Sequence, residues 1–337
     1  MRILTVALMI FSASVAVCGD MQRASLFEVA HSAVLQSKLT QLGGVPFHLK
    51  ARIVETTNPE STYKAGIEEY WVAPEKWRRT IHSPEFSQTL VTNGTAVFEK
   101  NDGDYYPWWL EDLVTAIFDP LPMVDQLKRV NAQIEQPTAS EHSSTCSRLQ
   151  SKEGYLVFCF KGRQGVLDYV VTPGYDATFK DYEEFKGKQI PRRIVIDPEP
   201  GTTIEAKITE LTELLDADAQ LFAVPEPTPP DQHLGSVRVD EETARKLVIN
   251  TPEITWPAVG KNPTSGKMAL FISVDRAGHV REVWPGGSDN SDLEDPAREQ
   301  VRKWQFKPAG VKGVPVQMET ILTFAFQTKL DIPHKKP

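Results

Sequence analysis

Sequence features that indicate catalysis are missing from this 337-residue chain. It has no Cys-x-x-Cys pair, His-Glu-x-x-His motif, phosphate-binding loop, Gly-x-Ser-x-Gly or dinucleotide-binding fingerprint. Its seven histidines are scattered, and no two have the spacing of four that pairs metal ligands on one helix face. A site dispersed among Asp, Glu and Tyr residues has no positive support. We therefore predict a protein that is not an enzyme and has no metal site and no cofactor.

Clusters of positive charge are also missing. The net charge is -8 at pH 7, and no stripe of Lys and Arg is present that could neutralise successive phosphates. Aromatic residues do not alternate with basic residues along one face. Nucleic acid is therefore excluded as a predicted partner.

One long hydrophobic run stands out, from Ile3 to Val17, directly after Arg2. A basic residue, an apolar stretch and closing small residues are typical of a secretory signal peptide, and the run is shorter than the roughly 20 residues that span a bilayer. We predict that residues 1–19 are a signal segment and that the protein is periplasmic. Cleavage after Ala16 or Cys18 is the first interpretation, a lipid anchor on Cys18 the second, and a retained membrane anchor the third.

Cysteine is rare, with three residues in the whole chain. Cys18 lies in the signal segment, which leaves Cys146 and Cys159 in a compartment where disulfides persist. The strands that flank Lys152-Glu153-Gly154 place these two cysteines opposite each other across a hairpin, at the separation that a disulfide needs. A Cys146–Cys159 disulfide is one interpretation, and two separately buried thiols are the other.

Residues 25–220 are predicted to form the first domain. Ser25 to Leu42 has the apolar spacing of a helix that needs cover on more than one face. From Phe47 onward the period changes to two, with a hairpin turn at Asn93-Gly94, and Trp108 to Phe118 is predicted as a second helix. Roughly a dozen antiparallel strands with a few helices predict an open, curved sheet or half-barrel, whose concave face the first helix can fill.

The first domain is rich in large aromatic residues, and they allow two interpretations. One is an apolar cavity that binds lipid or another apolar ligand, because the aromatic area exceeds what a small core needs. The other is that these residues simply fill the core. The residues are Phe47, Trp71, Trp77, Phe86, Phe98, Trp108, Trp109 and Phe118.

Residues 236–330 are predicted to form a second, smaller domain. Met268 to Val274 alternates as a strand, and His279 to Trp284 is a second strand that Pro285-Gly286-Gly287 ends. A helix follows, and a last strand starts at Pro315. The helix carries an apolar stripe formed by Leu293, Ala297, Val301 and Trp304. Val237 to Val248 is predicted as a short helix leading in. The whole chain is therefore predicted to be an α+β protein.

Four motifs of the second domain resemble the C-terminal domain of TonB energy transducers over Ile254 to Gln327. They are Trp256-Pro257, Val274-Asp275-Arg276-Ala277-Gly278-His279-Val280, Val301-Arg302-Lys303-Trp304-Gln305-Phe306-Lys307-Pro308-Ala309 and Gly313-Val314-Pro315-Val316. Two segments depart from the family pattern, Gly266-Lys267-Met268 and Pro285-Gly286-Gly287-Ser288-Asp289. The departures bear on partner specificity more than on the fold.

The TonB resemblance implies binding by strand addition. An extended peptide of an envelope protein, such as an outer-membrane receptor, would pair through backbone groups along the edge of the last strand. The residues that this implies are Thr255, Trp256, Pro257, Val316, Met318, Thr320 and Leu322. Ordinary core and edge packing of these residues is the alternative interpretation.

The first domain resembles the periplasmic lipoprotein-carrier superfamily, the LolA-like proteins, from Leu26 to Leu215. The resemblance lies in the helix followed by three motifs, Phe47-His48-Leu49-Lys50-Ala51, Glu69-Tyr70-Trp71-Val72-Ala73-Pro74-Glu75-Lys76-Trp77-Arg78-Arg79 and Thr92-Asn93-Gly94. It implies a curved sheet that closes over acyl chains. No individual lipid-binding position is carried over.

Residues 224–235 are predicted to be a stiff Pro-rich linker. At about 3.1 Å per residue it reaches some tens of ångströms, less than the segment with which energy transducers cross the periplasm. We predict a non-catalytic periplasmic protein that binds an envelope protein through the second domain and lipid or an apolar ligand through the first. The alternatives are an envelope interaction protein without a ligand and an energy-transducer component of TonB-dependent transport.

Overall fold

A computed structural model describes residues 35–41, 43–58, 60–120, 133–135, 145–151, 154–161, 165–171, 176–199, 202–224, 227, 235–250, 254–257 and 264–328. The signal segment, the C-terminal tail, most of the linker and most of the predicted helix from Ser25 to Leu42 lie outside these residues. Residues 35–37 form a single helical turn. Among the helices of the described ranges, none has the length and apolar character that crossing a membrane requires.

The first domain is a twelve-stranded, curved antiparallel sheet, as predicted. Five strands precede helix α1 (Trp108–Phe118): β1 (Phe47–Glu55), β2 (Lys64–Ala73), β3 (Lys76–His82), β4 (Ser87–Asn93) and β5 (Ala96–Asp102). Seven follow it: β6 (Gln133–Glu135), β7 (Thr145–Ser151), β8 (Gly154–Lys161), β9 (Val166–Val171), β10 (Asp176–Phe185), β11 (Lys188–Glu199) and β12 (Thr202–Glu213). The order is β5-β4-β3-β2-β1-β12-β11-β10-β9-β8-β7-β6, so the sheet is open.

Alternation along the strands decides which face of this sheet is buried. In β1, Phe47, Leu49, Ala51 and Ile53 are all buried, with exposures of 4% or less. Their neighbours along the strand point to the opposite face. We call the face that carries these four residues the inner face. Strands β7 and β8 pair Cys146 with Cys159, whose sulfur atoms lie at the bonding distance of 2.02 Å.

Helix α1 covers the inner face. Eight of its eleven residues are buried, whereas Thr115 is exposed and Glu111 and Asp112 are half-buried. A helix that is apolar around most of its circumference needs cover on several sides. Here the first sheet provides one side and the second domain another. The predicted bounds of this helix are confirmed.

The second domain is a small sheet with two helices. Its elements are β13 (Ser236–Arg238), α2 (Glu241–Leu247), β14 (Val248–Asn250), β15 (Ser265–Val274), β16 (Val280–Ser288), α3 (Glu294–Val301), β17 (Gln305–Phe306), β18 (Ala309–Val311) and β19 (Val314–Gln327). The sheet order is β13-β19-β15-β16, with β18 also on β19, while β14 pairs with β17. Both predicted apolar sets, on β15 and along the α3 stripe, are buried at 6% exposure or less. The predicted α+β class and the strand, strand, helix, strand order are confirmed.

Two local predictions were wrong. Pro285 does not end the second strand, because β16 is the outer strand of the sheet and a register shift between Ala269 and Leu270 accommodates it. An edge position tolerates a residue without an N–H. The predicted helix from Val237 to Val248 is only partly present. Its first residues belong to β13, because β19 offers them backbone partners.

The buried side chains form two clusters, one under each sheet. Trp284 of β16 is an exception, since it belongs to the cluster of the first domain. It stacks on Trp108 of α1 with 4.6 Å between ring centroids. The two domains therefore share a packed junction around the start of α1.

Candidate functional site

The edge of β19 that faces away from β15 is largely occupied by the chain itself. β13 runs parallel to β19 opposite residues 317–319 of this edge. The amide of Val239 extends this pairing by donating to the Glu319 carbonyl over 2.8 Å. Free N–H and C=O groups at a strand edge can pair with another strand. Here β13 and Val239 already bond to part of this edge.

Further along the same edge, α2 blocks Thr323. The carboxylate of Glu241 accepts from the Thr323 amide at 2.9 Å, and Arg245 donates to the Thr323 carbonyl at 2.5 Å. Between the two covered stretches, Ile321 lies on the wall of a cavity of about 450 Å³. Trp108, Val239 and Phe271 supply the apolar part of this wall. The cavity therefore lies where β13, α1 and the exposed part of the edge meet.

The residues predicted to bind a partner on β19 point into the core. Met318, Thr320 and Leu322 are at most 3% exposed, and Val316 is half-buried. Because strand residues alternate, and Glu319 and Thr323 direct their backbone groups away from β15, these even-numbered residues direct theirs toward it. The outward groups belong to Gln317, Glu319, Ile321 and Thr323. These four positions are not among the predicted partner-binding residues, although the alternation along the strand separates odd from even residues in the sequence.

The other predicted segment, Thr255 to Pro257, lies near the opposite end of β19. Trp256 packs on Phe326 with 5.6 Å between ring centroids. The Gln300 side chain accepts from the Thr255 amide at 2.6 Å and donates to its carbonyl at 3.1 Å. Thr255 and Pro257 themselves are exposed. The Gln300 side chain therefore forms the two backbone hydrogen bonds with Thr255 that a neighbouring strand would otherwise form.

The aromatic residues of the first domain pack mainly against one another. Phe47, Trp71, Phe86, Trp108, Trp109 and Phe118 are at most 5% exposed, and Trp77 and Phe98 are half-buried. Phe47 stacks on Trp71 at 5.5 Å, and Phe86 on Tyr106 at 4.8 Å. With α1 in place, these described side chains are part of one buried core cluster.

A buried ion pair interrupts this apolar face. Glu69 lies between Ile67 and Trp71 on the buried side of β2 and is 0% exposed. Its Oε2 accepts from Arg79 at 2.5 Å, and the Arg79 guanidinium lies 4.0 Å from the Phe118 ring centroid. Burial raises the pKa of Glu69, and Arg79 opposes the rise. A Glu within the apolar alternation of β2 is the sequence signal for this pair.

At the domain junction, the second domain caps α1. The cap position is Pro107, whose ring has no acceptor for the free amides of the first turn. Glu282 of β16 supplies one, since its Oε2 accepts from the Trp108 amide at 2.6 Å and also from the Tyr105 hydroxyl. The Tyr105 oxygen in turn accepts from the Ser273 hydroxyl at 2.7 Å. The start of α1 therefore depends on a carboxylate from the other domain.

Four carboxyl groups gather at this junction. Burial raises the pKa of Glu282 to about 7, against hydrogen bonds from Tyr105 and the Trp108 and Trp109 backbone. Burial and the nearby Glu319 raise the pKa of Glu111 to about 7 and that of Asp112 well above its usual range. Asp112 Oδ2 is buried and meets no hydrogen-bond partner within the described part of the chain. Across the described ranges, no group of three His, Cys, Asp or Glu residues is arranged to hold a metal ion.

The second domain matches the model of a known protein family. Residues 258–328, about a fifth of the chain, match the family model described as Gram-negative bacterial TonB protein C-terminal. This confirms the resemblance drawn from the motifs between Trp256 and Val316. No curated protein matches the chain.

Three solved structures are similar to this chain over about three fifths of its length. A LolA superfamily protein from Nitrosomonas europaea has a TM-score of 0.40 and 8% identity, covering 58% of this chain and 96% of that one. A putative outer membrane lipoprotein-sorting protein domain from Vibrio parahaemolyticus has a TM-score of 0.39 and 10% identity, covering 58% and 95%. A DUF1329 family protein from Desulfovibrio piger has a TM-score of 0.40 and 8% identity, covering 60% and 97%.

Proposed function

We propose that this protein is a non-catalytic, periplasmic binding protein of the cell envelope. In this proposal the second domain binds an extended segment of another envelope protein by strand addition at β19, and the first domain receives lipid or another apolar ligand on its inner face. The observation that supports strand addition is β13. A three-residue extended segment already pairs with this edge, so the edge can accept a strand.

A partner strand longer than three residues would use the outward backbone groups from Gln317 to Thr323. It would take the place of β13, fill the cavity beside Ile321 and compete with Glu241 and Arg245 for Thr323. Backbone hydrogen bonds would supply the affinity, and the cavity would select the side chain that enters it. The residues Thr255, Trp256 and Pro257 would contact such a strand only where it reaches Phe326.

The ligand part of the proposal is supported by the inner face of the first sheet. One helix, α1, provides much of the apolar cover of that face, and the remaining wall carries Phe47, Trp71 and other large apolar side chains. If α1 moves away, an apolar groove opens with one buried ion pair in it. A groove of this kind fits a long apolar chain better than a polar solute.

Strand addition is tested by site-specific photo-cross-linking from position 321 in the intact envelope. The cross-linked partner segment is then synthesised, and its affinity is measured for wild type, Ile321→Pro and Ile321→Ala. Proline removes the outward N–H, so we expect at least tenfold weaker binding, or about 1.4 kcal/mol. Alanine keeps this N–H and should bind within about threefold of wild type. Equal affinity of all three proteins would contradict strand addition.

Ligand binding is tested by native mass spectrometry of the full chain purified from the envelope. We expect a population that carries the mass of a bound lipid and loses it after extraction with detergent. A protein that carries no added mass, and that takes up no palmitate when mixed with it, would contradict the ligand part. The strand-addition part would stand.

A further inference from the structure

We infer that α1 and β13 act as one intramolecular occupant, joined at the domain junction, so that adding a partner strand at β19 and freeing the inner face of the first sheet promote each other. This inference rests on the proposed function for the meaning of the two surfaces. Its test needs neither the partner nor the ligand, so the two can fail separately.

The first link between the occupants is Ser236. Its hydroxyl lies 3.1 Å from Oε2 of Glu111 in the first turn of α1, and 2.5 Å from Oε1 of Glu319 in β19. A hydroxyl has one proton to donate, so it holds both carboxyl groups only if one of them is protonated. Removing Ser236 with the rest of β13 leaves the two acidic groups facing each other without the shared hydroxyl. Glu111 in the first turn of α1 then loses its hydrogen-bond donor and is repelled by the like charge of Glu319.

The second link is Gln317, which holds both occupants with different groups. Its backbone lies opposite Ser236 in the β13–β19 pair. Its fully buried side chain accepts from the Tyr106 amide at 3.0 Å and donates to the Tyr106 carbonyl at 2.9 Å. Tyr106 lies two residues before the start of α1. Exchange of the strand beside Gln317 therefore disturbs the segment that leads into the helix.

The packing around Trp108 extends this connection to the core. Trp108 stacks on Trp284, and its ring centroid lies 5.4 Å from that of Phe271. Trp108 also lines the cavity beside Ile321. A side chain entering that cavity from a partner strand would press against the first residue of α1. The same event therefore acts on α1 through the Ser236 hydrogen bonds, the Gln317 hydrogen bonds and the Trp108 packing.

Release of α1 would uncover a continuous apolar strip on the inner face. The helix has eleven residues and is about 16 Å long at 1.5 Å per residue. Its removal exposes the aromatic wall and the Glu69–Arg79 pair together. A rod-shaped apolar ligand can replace the helix there, and the coupling is reciprocal because binding free energies are linked. Coupling of this kind changes the affinity at each site by roughly 5- to 150-fold.

The test is amide hydrogen exchange of the full-length protein, read by mass spectrometry at α1, at the β13–β19 pair and at β15. Val237→Pro removes an N–H that, by alternation with Val239, points to β19. We expect the α1 amides to exchange at least fivefold faster in this variant, with β15 unchanged. Val237→Ala keeps the N–H and is the matched control, with α1 exchange as in wild type.

A second variant tests the coupling in the opposite direction, from α1 to β13. Glu282→Gln weakens the cap on α1 and should accelerate exchange of the Val239 amide, which donates to β19 and does not contact residue 282. If Val237→Pro frees β13 but leaves α1 exchange at the wild-type rate, the coupling is overturned while strand addition stands. If Val237→Pro also unfolds β15, Ser236→Ala decides instead. Faster α1 exchange in Ser236→Ala supports the coupling, and an unchanged rate overturns it.

Discussion

The two domains cover the buried faces of their sheets in different ways. The second domain supplies its own cover, since α3 and the segment around Trp304 pack against β15 and β19 within one stretch of chain. The first domain relies on α1, whose cap at Glu282 and whose stacking partner Trp284 both come from the second domain. The smaller domain therefore covers its own buried cluster, whereas the larger domain depends on the smaller one to hold its covering helix in place.

The largest expected effect comes from breaking the ion pair beneath α1. Arg79→Leu leaves the Glu69 carboxylate buried without its counter-charge, and we expect a loss of about 3–5 kcal/mol of unfolding free energy in urea titrations. The loss should fall on the first domain, which sharpens its contrast with the second.

Two control variants accompany this measurement. Arg193→Leu removes solvent-accessible pairs with Asp181 and Glu205 and should cost no more than about 1 kcal/mol. Arg79→Leu combined with Glu69→Leu should recover most of the loss, because no charge then remains buried. Equal stabilities for Arg79→Leu and Arg193→Leu would show that the pair is not a structural support of α1.

The disulfide provides the next effect. It closes a loop between residues 13 apart in β7 and β8, at the far end of the first sheet. Replacing both cysteines with serine should lower stability by about 3 kcal/mol, since the unfolded chain regains loop entropy. Hydrogen exchange should quicken in β7 and β8 and stay unchanged in β15. Equal acceleration in both domains would contradict their independence.

We expect the carboxyl groups at the junction to make the free energy of unfolding depend on pH by about 1–3 kcal/mol. The raised pKa values of Glu111 and Glu282, each about 7, mean that the native state binds more protons than the unfolded state above the ordinary pKa of 4.5. Stability from these groups is therefore complete below about pH 4.5, falls as the pH rises to about 7, and stays low above it.

The pH effect is isolated by difference. Urea unfolding of wild type and of Glu111→Gln combined with Glu282→Gln is compared at about pH 5 and about pH 8. The wild type should lose more stability between the two conditions than the double variant does. An equal pH dependence in both proteins would contradict the assignment of raised pKa values to the junction.

The smallest expected effect concerns α2. Arg245→Ala removes an i,i+4 ion pair with Glu241 and should change stability by no more than about 0.5 kcal/mol. It also frees the Thr323 carbonyl, so a partner peptide should bind β19 more tightly. Lys246→Ala is the matched control, because its pair with Glu242 has the same spacing but does not reach β19. Tighter binding by both variants would point to a change in charge alone.

Much of this architecture is predictable from residue patterns. The alternation of Met268 to Val274 and the spacing of Leu293 to Trp304 identify buried faces because they report local periodicity. β13 escaped prediction because three residues carry no period, and only the neighbouring β19 makes them a strand. Glu282 likewise looks like an ordinary strand residue. Its role comes from Pro107 of a distant segment, which no local pattern can encode.

The most direct test of the account is the distance between α1 and the first sheet. Spin labels at Thr115 and His82, both exposed, report this distance by pulsed electron spin resonance in the full-length protein. We predict one narrow distance distribution in wild type and an additional, longer one in Val237→Pro, whereas labels at Lys303 and Thr323 in the second domain should show no change. An unaltered Thr115–His82 distribution in Val237→Pro would contradict the claim that β13 and α1 are released together.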